Sequence, residues 1–472
     1  MGLLERLFKL KERETTVRRE FSAGMVTFFA MCYILSVNAG MFANPFGTGE
    51  NPLGVSFGAM YIATALSAFV GCMLMGLLAN LPIALASAMG ENAFFVYTVC
   101  LGFGLTFPNA LALTFVAGVF FVLLTATGLR RRLFRAIPRS VRVGIAAGLG
   151  LFIALLGLKN AGVVVVSQST GLTLGSFNLT SQSWGVVMPP IVALATFWTI
   201  CDLSYRKFRG APLIGIIAGT ALYYLLGLTI PGFYENLKIG TTGPLASIGA
   251  FGHEALGAVF TKGFDFSEYI AAHGVNNFIL VFMTTVLAMC MMDLFDTVGT
   301  LYATCRLGSL LTKDGDVPNM DRAMMADSPA TAVGSVLGVS TVSAYLESGA
   351  GVTEGGKTGL ASVFTGLFFL AAIFLAPFVQ LIPSCAVSAC LVYVGVPMLA
   401  SIKDLDLGDM EVAVPAFMTL AIIPLSCNIA FGIAFGMLSH VVMSLASGKG
   451  RELAPETWIV AALFCVTLLL TH

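Results

Sequence analysis

Two carboxylates, Asp293 and Asp296, stand at i,i+3 in the run Asp293-Leu-Phe-Asp296-Thr-Val-Gly-Thr300, on one helix face inside a long apolar stretch. A charge at bilayer depth costs ~2.5–3.5 kcal/mol on insertion scales, so acids in such places are paired, protonated or set in a wet cavity. Glu347, in Tyr345-Leu-Glu347-Ser-Gly349, is the third of this kind. Taking up a proton removes the charge and its cost, so Glu347, Asp293 and Asp296 are candidates to carry a proton together with a donor-bearing ligand. The plainer role, a helix-locking hydrogen bond to a Ser or Thr, suits Asp296 best. Glu91, Glu354 and Lys357 border the same regions and read as interfacial or core-bridging charges.

Two interrupted segments carry matching polar groups: Ser87-Ala-Met-Gly90-Glu91-Asn92-Ala-Phe94-Phe95 and Ser340-Thr-Val-Ser343-Ala-Tyr345-Leu-Glu347-Ser-Gly349. Each has an extended lead of small residues, then a polar residue, then a helical apolar run. Each can therefore offer backbone N–H groups and one specific side chain to a flat heterocycle. Phe94, Phe95 and Tyr345 can stack on such a ring, and they fit equally as core or lipid-facing aromatics.

Gly351-Val-Thr-Glu-Gly-Gly356-Lys357-Thr358 satisfies the phosphate-loop pattern, but that chemistry needs a preceding strand in a soluble α/β domain, and here the match lies between two membrane segments. Asn178-Leu-Thr180 matches a glycosylation acceptor weakly. His253, His273 and His440 cluster with no other candidate ligand, and Cys32, Cys72, Cys290, Cys390 and Cys465 sit in apolar stretches without metal or framework spacing. We expect no metal, no disulfide and no organic cofactor.

The elements that position these residues must lie in lipid. Of 472 residues, 57% are hydrophobic and 11% charged, against about 25% charged in a soluble domain. Lys+Arg and Asp+Glu are 25 each, a balance that gives no pull toward nucleic acid. A crossing takes about 20 apolar residues, and such segments lie near 21–43, 59–79, 107–127, 141–158, 185–202, 213–229, 277–303, 359–381, 385–400, 411–425 and 428–445. Shorter stretches near 82–101, 328–340 and 343–356 are interrupted by Gly, Pro, Ser and Thr, as broken helices lining a cavity would be. Fourteen crossings result, with 457–470 left as either a further crossing or an interfacial segment.

Residues 1–20 hold six basic and four acidic residues and no apolar core, which fits a short amphipathic cytoplasmic helix and no cleaved signal. The positive-inside rule places this tail in the cytoplasm, together with Arg130, Arg131, Arg132, Arg135, Arg139 and Arg142, and with Arg206, Lys207 and Arg209. Only Lys159, Lys238 and Lys262 fall on the other side, where the 230–276 loop also carries Glu235, Glu254, Asp265 and Glu268. That loop splits the chain into halves that repeat. Thr27-x-x-Ala30-Met31-Cys32 matches Thr285-x-x-Ala288-Met289-Cys290, Pro138-Arg-Ser-Val parallels Pro383-Ser-Cys-Ala-Val, and the Gly215 to Gly219 run parallels Gly432 to Gly436. Seven spans per half is odd, so the second copy is inverted, the arrangement of alternating-access transporters. The fold class expected is an all-α polytopic membrane protein with a 7+7 inverted repeat and two discontinuous segments with short extended stretches.

The chain resembles the AzgA-like purine permeases of the nucleobase transporter superfamily, which share the uracil permease fold. The likeness covers nearly its whole length. It is carried by Phe8-Lys9-Leu10 with Thr16-Val17-Arg18, by Met89-Gly90-Glu91-Asn92-Ala93, by Asp293 to Thr300, and by Tyr345-Leu-Glu347-Ser-Gly-Ala-Gly351 leading into Gly355-Gly356-Lys357-Thr358-Gly359. The resemblance implies proton symport of adenine, guanine or hypoxanthine in a multi-pass bacterial inner-membrane protein, with a homodimer as a compatible assembly. It implies a cytoplasmic tail (1–20), a core domain (21–127 and 277–381), a gate domain (128–229 and 382–445), an extracytoplasmic loop (230–276) and a C-terminal tail (446–472). Gly90 and Asn92 would line the purine site, Asp293 and Glu347 would bond ring or exocyclic nitrogens with Asp296 in support, and Ser343, Tyr345 and Phe94 would complete it. Two departures stand out: Glu91 replaces a residue usually uncharged, and Gly338-Val-Ser-Thr341 replaces a Gly-Thr-Ser-Thr lead. Either can shift purine preference, and Glu91 can add a proton site.

Three rival classes have discriminating features. An anion exchanger of the same fold would favour a site without acids. A channel would need a continuous polar lining, and an embedded enzyme a nucleophile with an adjacent base or a metal set.

Overall fold

Hydrophobic segments of the expected length fold as helices, and among the described residues seven of them are individually long and apolar enough to cross a membrane. The computed structural model describes residues 3–46, 49–127, 138–167, 171–178, 182–208, 210–231, 233, 243–312, 317–379, 381–426, 429–450 and 453–470. Arg130, Arg131, Arg132, Arg135, Arg209, Glu235, Lys238 and the Leu179–Thr180 part of the acceptor pattern lie outside the described residues.

A short helix Leu3–Phe8 (α1) precedes Val17–Met31 (α2) and Ile34–Ala43 (α3). Phe57–Leu74 (α4) runs on as a wider π turn through Ala79, and the strand Leu85–Ser87 (β1) leads into Met89–Ala93 (α5), which widens to a π-helix through Gly102. Phe107–Ala126 (α6), Arg139–Asn160 (α7), the hairpin Val164–Ser167 (β2) and Gly171–Leu174 (β3), Trp184–Tyr205 (α8) and Ala211–Gly227 (α9) complete the first half. Pro244–Glu254 (α10) and Ser267–His273 (α11) occupy the dividing loop. The second half comprises Val275–Leu307 (α12), Met320–Val336 (α13), Val342–Ala344 (β4), Ser348–Glu354 (α14), Gly359–Ala372 (α15, continued by short turns to Val379), Ser384–Leu399 (α16), Met410–Ser426 (α17) and Ile429–Ala446 (α18). Pro455–Leu470 (α19) is helical and packs on α18 and α12.

Several starts follow from capping. Thr16, Ser56 and Thr106 accept the backbone N–H of Arg19, Ala59 and Asn109, each satisfying a donor that an opening helical turn leaves bare.

The structure departs from the sequence reading in two spans. The stretch near 328–340 is not a broken segment: α13 begins earlier and runs unbroken through Pro329. Asp321 and Arg322 in its first turn are what hid that start from a search for apolar residues. Conversely, the first span breaks at Cys32–Tyr33. The segments near 82–101 and 343–356 do break, each into a strand and a helix.

Those two strands pair with each other. β1 and β4 run antiparallel with Leu85 opposite Ala344, Ala86 opposite Ser343 and Ser87 opposite Val342, so the register is symmetric about Ala86 and Ser343. The ladder extends through Ala88 N–H to Thr341 O and Tyr345 N–H to Ala84 O, both 3.0 Å. Asn92 ties both segments: its Oδ1 accepts from the hydroxyls of Ser87, at 2.9 Å, and of Ser340.

The same two-fold relation recurs elsewhere. Gly150 on α7 and Gly395 on α16 meet backbone to backbone, where a Cβ on either would lie 2.5–2.9 Å from the other's carbonyl oxygen. Gly215 and Gly219 on α9 press against Ile200 and Thr196 of α8, as Gly432 and Gly436 on α18 press against Ile423 and Thr419 of α17. Both threonines turn their hydroxyls back onto the carbonyl one turn earlier, at 2.7 and 2.8 Å. Small residues let membrane helices approach closely where apolar burial supplies no preference over lipid. The chain is thus a 7+7 inverted repeat. Packing falls into two sets: α2, α4, α6 and α12–α15 around the strand pair, and α7–α9 with α16–α18, joined by fewer contacts between them.

The phosphate-loop look-alike has a structural use. Glu20, fully buried, accepts from the Lys357 and Thr358 backbone N–H groups at 3.0 and 3.3 Å and from the Thr15 hydroxyl at 2.7 Å. The backbone amides just ahead of α15 therefore hold this chain's own carboxylate. Glu20→Ala should cost roughly 2–3 kcal/mol, read as a lower thermal midpoint in detergent and faster protease cleavage of the N-terminal tail. Unchanged cleavage would mean the tail is held elsewhere. Asn92→Ala strands two buried hydroxyls and should lower the midpoint clearly, whereas Asn92→Asp, which keeps the acceptor, should lower it less.

Candidate functional site

The strand pair aims its flanking residues into a cavity of about 600 Å³ between the two helix sets, within the ~300–1,000 Å³ of small-molecule sites. One wall comes from the broken segments and α12: Gly90, Glu91, Asp296, Thr300, Tyr345 and Glu347. The facing wall is mostly apolar and comes from α7 and α16, through Leu149, Ile153, Val394, Pro397 and Met398, with Tyr393 its polar exception. Ser204, Lys207, Phe208 and Gly210 line its mouth, and Lys207 is exposed there.

Glu347 sits just after β4, at the start of α14, and the Tyr33 hydroxyl donates to its Oε1 at 2.5 Å. Tyr33 can reach because α2 breaks beside it. The sequence held a signal for this residue, since Tyr33 follows the Ala-Met-Cys motif where the second copy has Met291. Asp296 accepts from the Ser343 hydroxyl at 2.8 Å and remains partly exposed to the cavity. Tyr345 donates to Ser87 O at 2.6 Å, so its hydroxyl is committed to the strand pair while its ring faces the cavity.

Other expected residues stand behind this wall. Asp293 is 1% exposed and accepts from Thr331 at 3.2 Å. One turn on, Thr297 donates to Asp327 at 2.8 Å, so α12 and α13 exchange reciprocal Thr–Asp bonds. Of the i,i+3 pair, Asp296 lines the cavity and Asp293 holds the helix that presents it. Asn92 and Phe94 are fully buried, the former as the clamp between segments and the latter in the core, where Phe95 also lies against Phe42. Ser343 is buried and acts through Asp296. Gly90 lines the cavity, where a Cβ would lie 2.2 Å from a Leu149 methyl carbon of the facing wall. Glu91, read from sequence as a bridging charge, is at the cavity surface. Glu354 ends α14 and Lys357 lies in the turn beyond it, both outside the cavity lining.

A second cavity, about 1090 Å³, opens at the other ends of the same helices, between Asn44, Lys159, Asn160, Pro190, Leu381 and Ser384. Between the two, Tyr97 meets Phe152 edge to face at 6.2 Å and its hydroxyl donates to Pro45 O at 2.7 Å. Chemically, the smaller site is a slot with hydrogen-bond acceptors on one side and apolar surface on the other, suited to a flat, neutral, N–H-bearing solute. Among the described residues, no group of three or more His, Cys, Asp or Glu side chains could hold a metal.

Known proteins agree with this architecture. The model of the Permease family matches residues 18–435. The adenine permease AdeP of Escherichia coli is 38% identical over 99% of this chain and 96% of its own. The guanine/hypoxanthine permease PbuO of Bacillus subtilis is 34% identical over 98% of this chain and 99% of its own. Among solved structures, the transmembrane domain of the cyanobacterial bicarbonate transporter BicA superposes with a TM-score of 0.55 over 91% of this chain and 97% of that one, at 14% identity, which bears on the fold alone. With a family match spanning most of its length and full-length relatives above 30% identity, the chain belongs to the Permease family, among relatives that are purine permeases.

Proposed function

We propose that this protein carries purine nucleobases, adenine, guanine or hypoxanthine, across the membrane in symport with protons by alternating access. The observation that carries the reading is the cavity wall itself: Asp296 and Glu347, each steadied by one hydroxyl, face an apolar surface at the crossing of two broken segments. A purine presents ring N–H donors along its edge and apolar faces above and below, which matches that slot. Names of full-length relatives support the substrate class.

In this reading, Glu347 and Asp296 accept N–H donors of the base, and the proton that neutralises one of them travels with it. The helices around the strand pair (21–127 and 277–381) form a core, and α7–α9 with α16–α18 (128–229 and 382–445) form a gate. Rocking of one against the other would open the site alternately to the two cavities at opposite ends of their seam. The positive-inside count supports a cytoplasmic N-terminus and, with the bacterial relatives, an inner-membrane location. An anion exchanger of this fold is disfavoured, because an anion would meet the carboxylates at short range.

The test is uptake of radiolabelled adenine, guanine, hypoxanthine and uracil in cells lacking their own nucleobase carriers. Glu347→Gln should reduce purine uptake at least about 10-fold, the equivalent of one hydrogen bond to a charged group, and a protonophore should collapse wild-type uptake. Purine uptake indifferent to the protonophore would remove the proton from the mechanism. No purine uptake by well-expressed wild type would remove the substrate.

A further inference from the structure

We propose that Glu91 is a third substrate-contacting carboxylate, one that recognises an exocyclic amino group and so selects adenine and guanine, which carry one, over hypoxanthine, which has none; the assignment rests on the nucleobase-carrier reading above. Glu91 is 1% exposed and belongs to the cavity wall. Its Oε1 has no hydrogen-bond partner among the described residues, and the hydroxyl that acts on the rest of the carboxylate is that of Thr341. Its charged neighbours are Asp296 and Asp327, both of its own sign. The cation that lines the cavity, Lys207, is exposed at the mouth.

A buried acceptor without a donor costs roughly 1–3 kcal/mol, and native structures keep such atoms where a ligand or a function uses them. The backbone around Glu91 cannot relax away from this cost. Its helix continues from β1, whose register is held by β4, and the adjacent Asn92 is clamped to Ser87 and Ser340.

Counting donors and acceptors gives the selectivity. Ser343 uses one oxygen of Asp296 and Tyr33 one oxygen of Glu347. Each of those acids has its second oxygen for a base, and Glu91 adds a further acceptor. Neutral hypoxanthine has two N–H groups and leaves one acid without a donor. Adenine, with one ring N–H and a two-hydrogen amino group, offers three N–H hydrogens, and guanine, with two ring N–H groups and an amino group, offers four, so each can serve all three. A carbonyl oxygen turned toward Glu91 would set acceptor against acceptor, a mismatch that sites built on hydrogen bonds reject strongly.

The experiment measures half-saturation for uptake of adenine, guanine and hypoxanthine separately, in wild type, Glu91→Gln and Glu91→Leu, with membrane levels read by immunoblot. Glu91→Leu should weaken adenine and guanine about 10- to 100-fold relative to hypoxanthine. Glu91→Gln, which keeps a carbonyl acceptor and reports should the leucine variant fail to reach the membrane, should lose less in the same direction. Equal losses for all three bases, or no change in any, would overturn the assignment while leaving nucleobase transport standing. Absence of purine uptake by the wild type would instead overturn the functional reading, and this assignment with it.

Discussion

Everything at the centre of this molecule depends on pairing the backbone where two helices are interrupted at membrane depth. Lipid offers no partner for a bare N–H or C=O, and each unsatisfied group costs several kcal/mol there. One broken segment cannot solve this alone. Two of them, related by an inverted repeat, can lie antiparallel and satisfy each other, as β1 and β4 do. The symmetric register about Ala86 and Ser343 is the geometric result of that arrangement. Each strand is followed at once by a helix start, and the residues there, Gly90 and Glu91 after β1 and Tyr345 and Glu347 after β4, line one cavity.

The carboxylates there are tolerable because hydroxyls reach them. Tyr33 serves Glu347, Ser343 serves Asp296, and Thr331 serves Asp293. Neutral donors stabilise a carboxylate without cancelling its charge, which leaves the group able to exchange a proton or a ligand N–H. The reciprocal Thr–Asp bonds between α12 and α13 act at one remove, fixing the rotation of α12 so that Asp296 faces the cavity. The i,i+3 spacing thus separates two jobs on one helix: Asp293 anchors and Asp296 is presented.

Glycines organise the second helix set by the same inverted symmetry. The Gly150–Gly395 contact brings α7 and α16 backbone to backbone, and the paired Gly-x-x-x-Gly faces seat α9 on α8 and α18 on α17. Contacts of this kind depend on shape and not on apolar burial, since lipid is as apolar as the side chains. The two helix sets are therefore each tightly built, while the seam between them holds both cavities.

The amino-acid sequence by itself determined the membrane solvent, the length and order of most spans, the inverted repeat, two of the three segments read as broken and the intramembrane acids. All of these are written in local composition or in short motifs repeated between halves. It misplaced the start of α13, because Asp321 and Arg322 look unlike a span, and it left Tyr33 unnoticed inside an apolar run. Only the tertiary structure decided which acids share a cavity. Asp293 and Asp296 are equivalent by helical spacing, and their difference lies in whether Thr331 of α13 or the open cavity stands opposite. Asn92 became a clamp and Glu91 a wall residue for the same reason. Side-chain environment depends on neighbours distant in the chain, here brought within reach by strand pairing and by helix rotation, and no local pattern encodes that rotation.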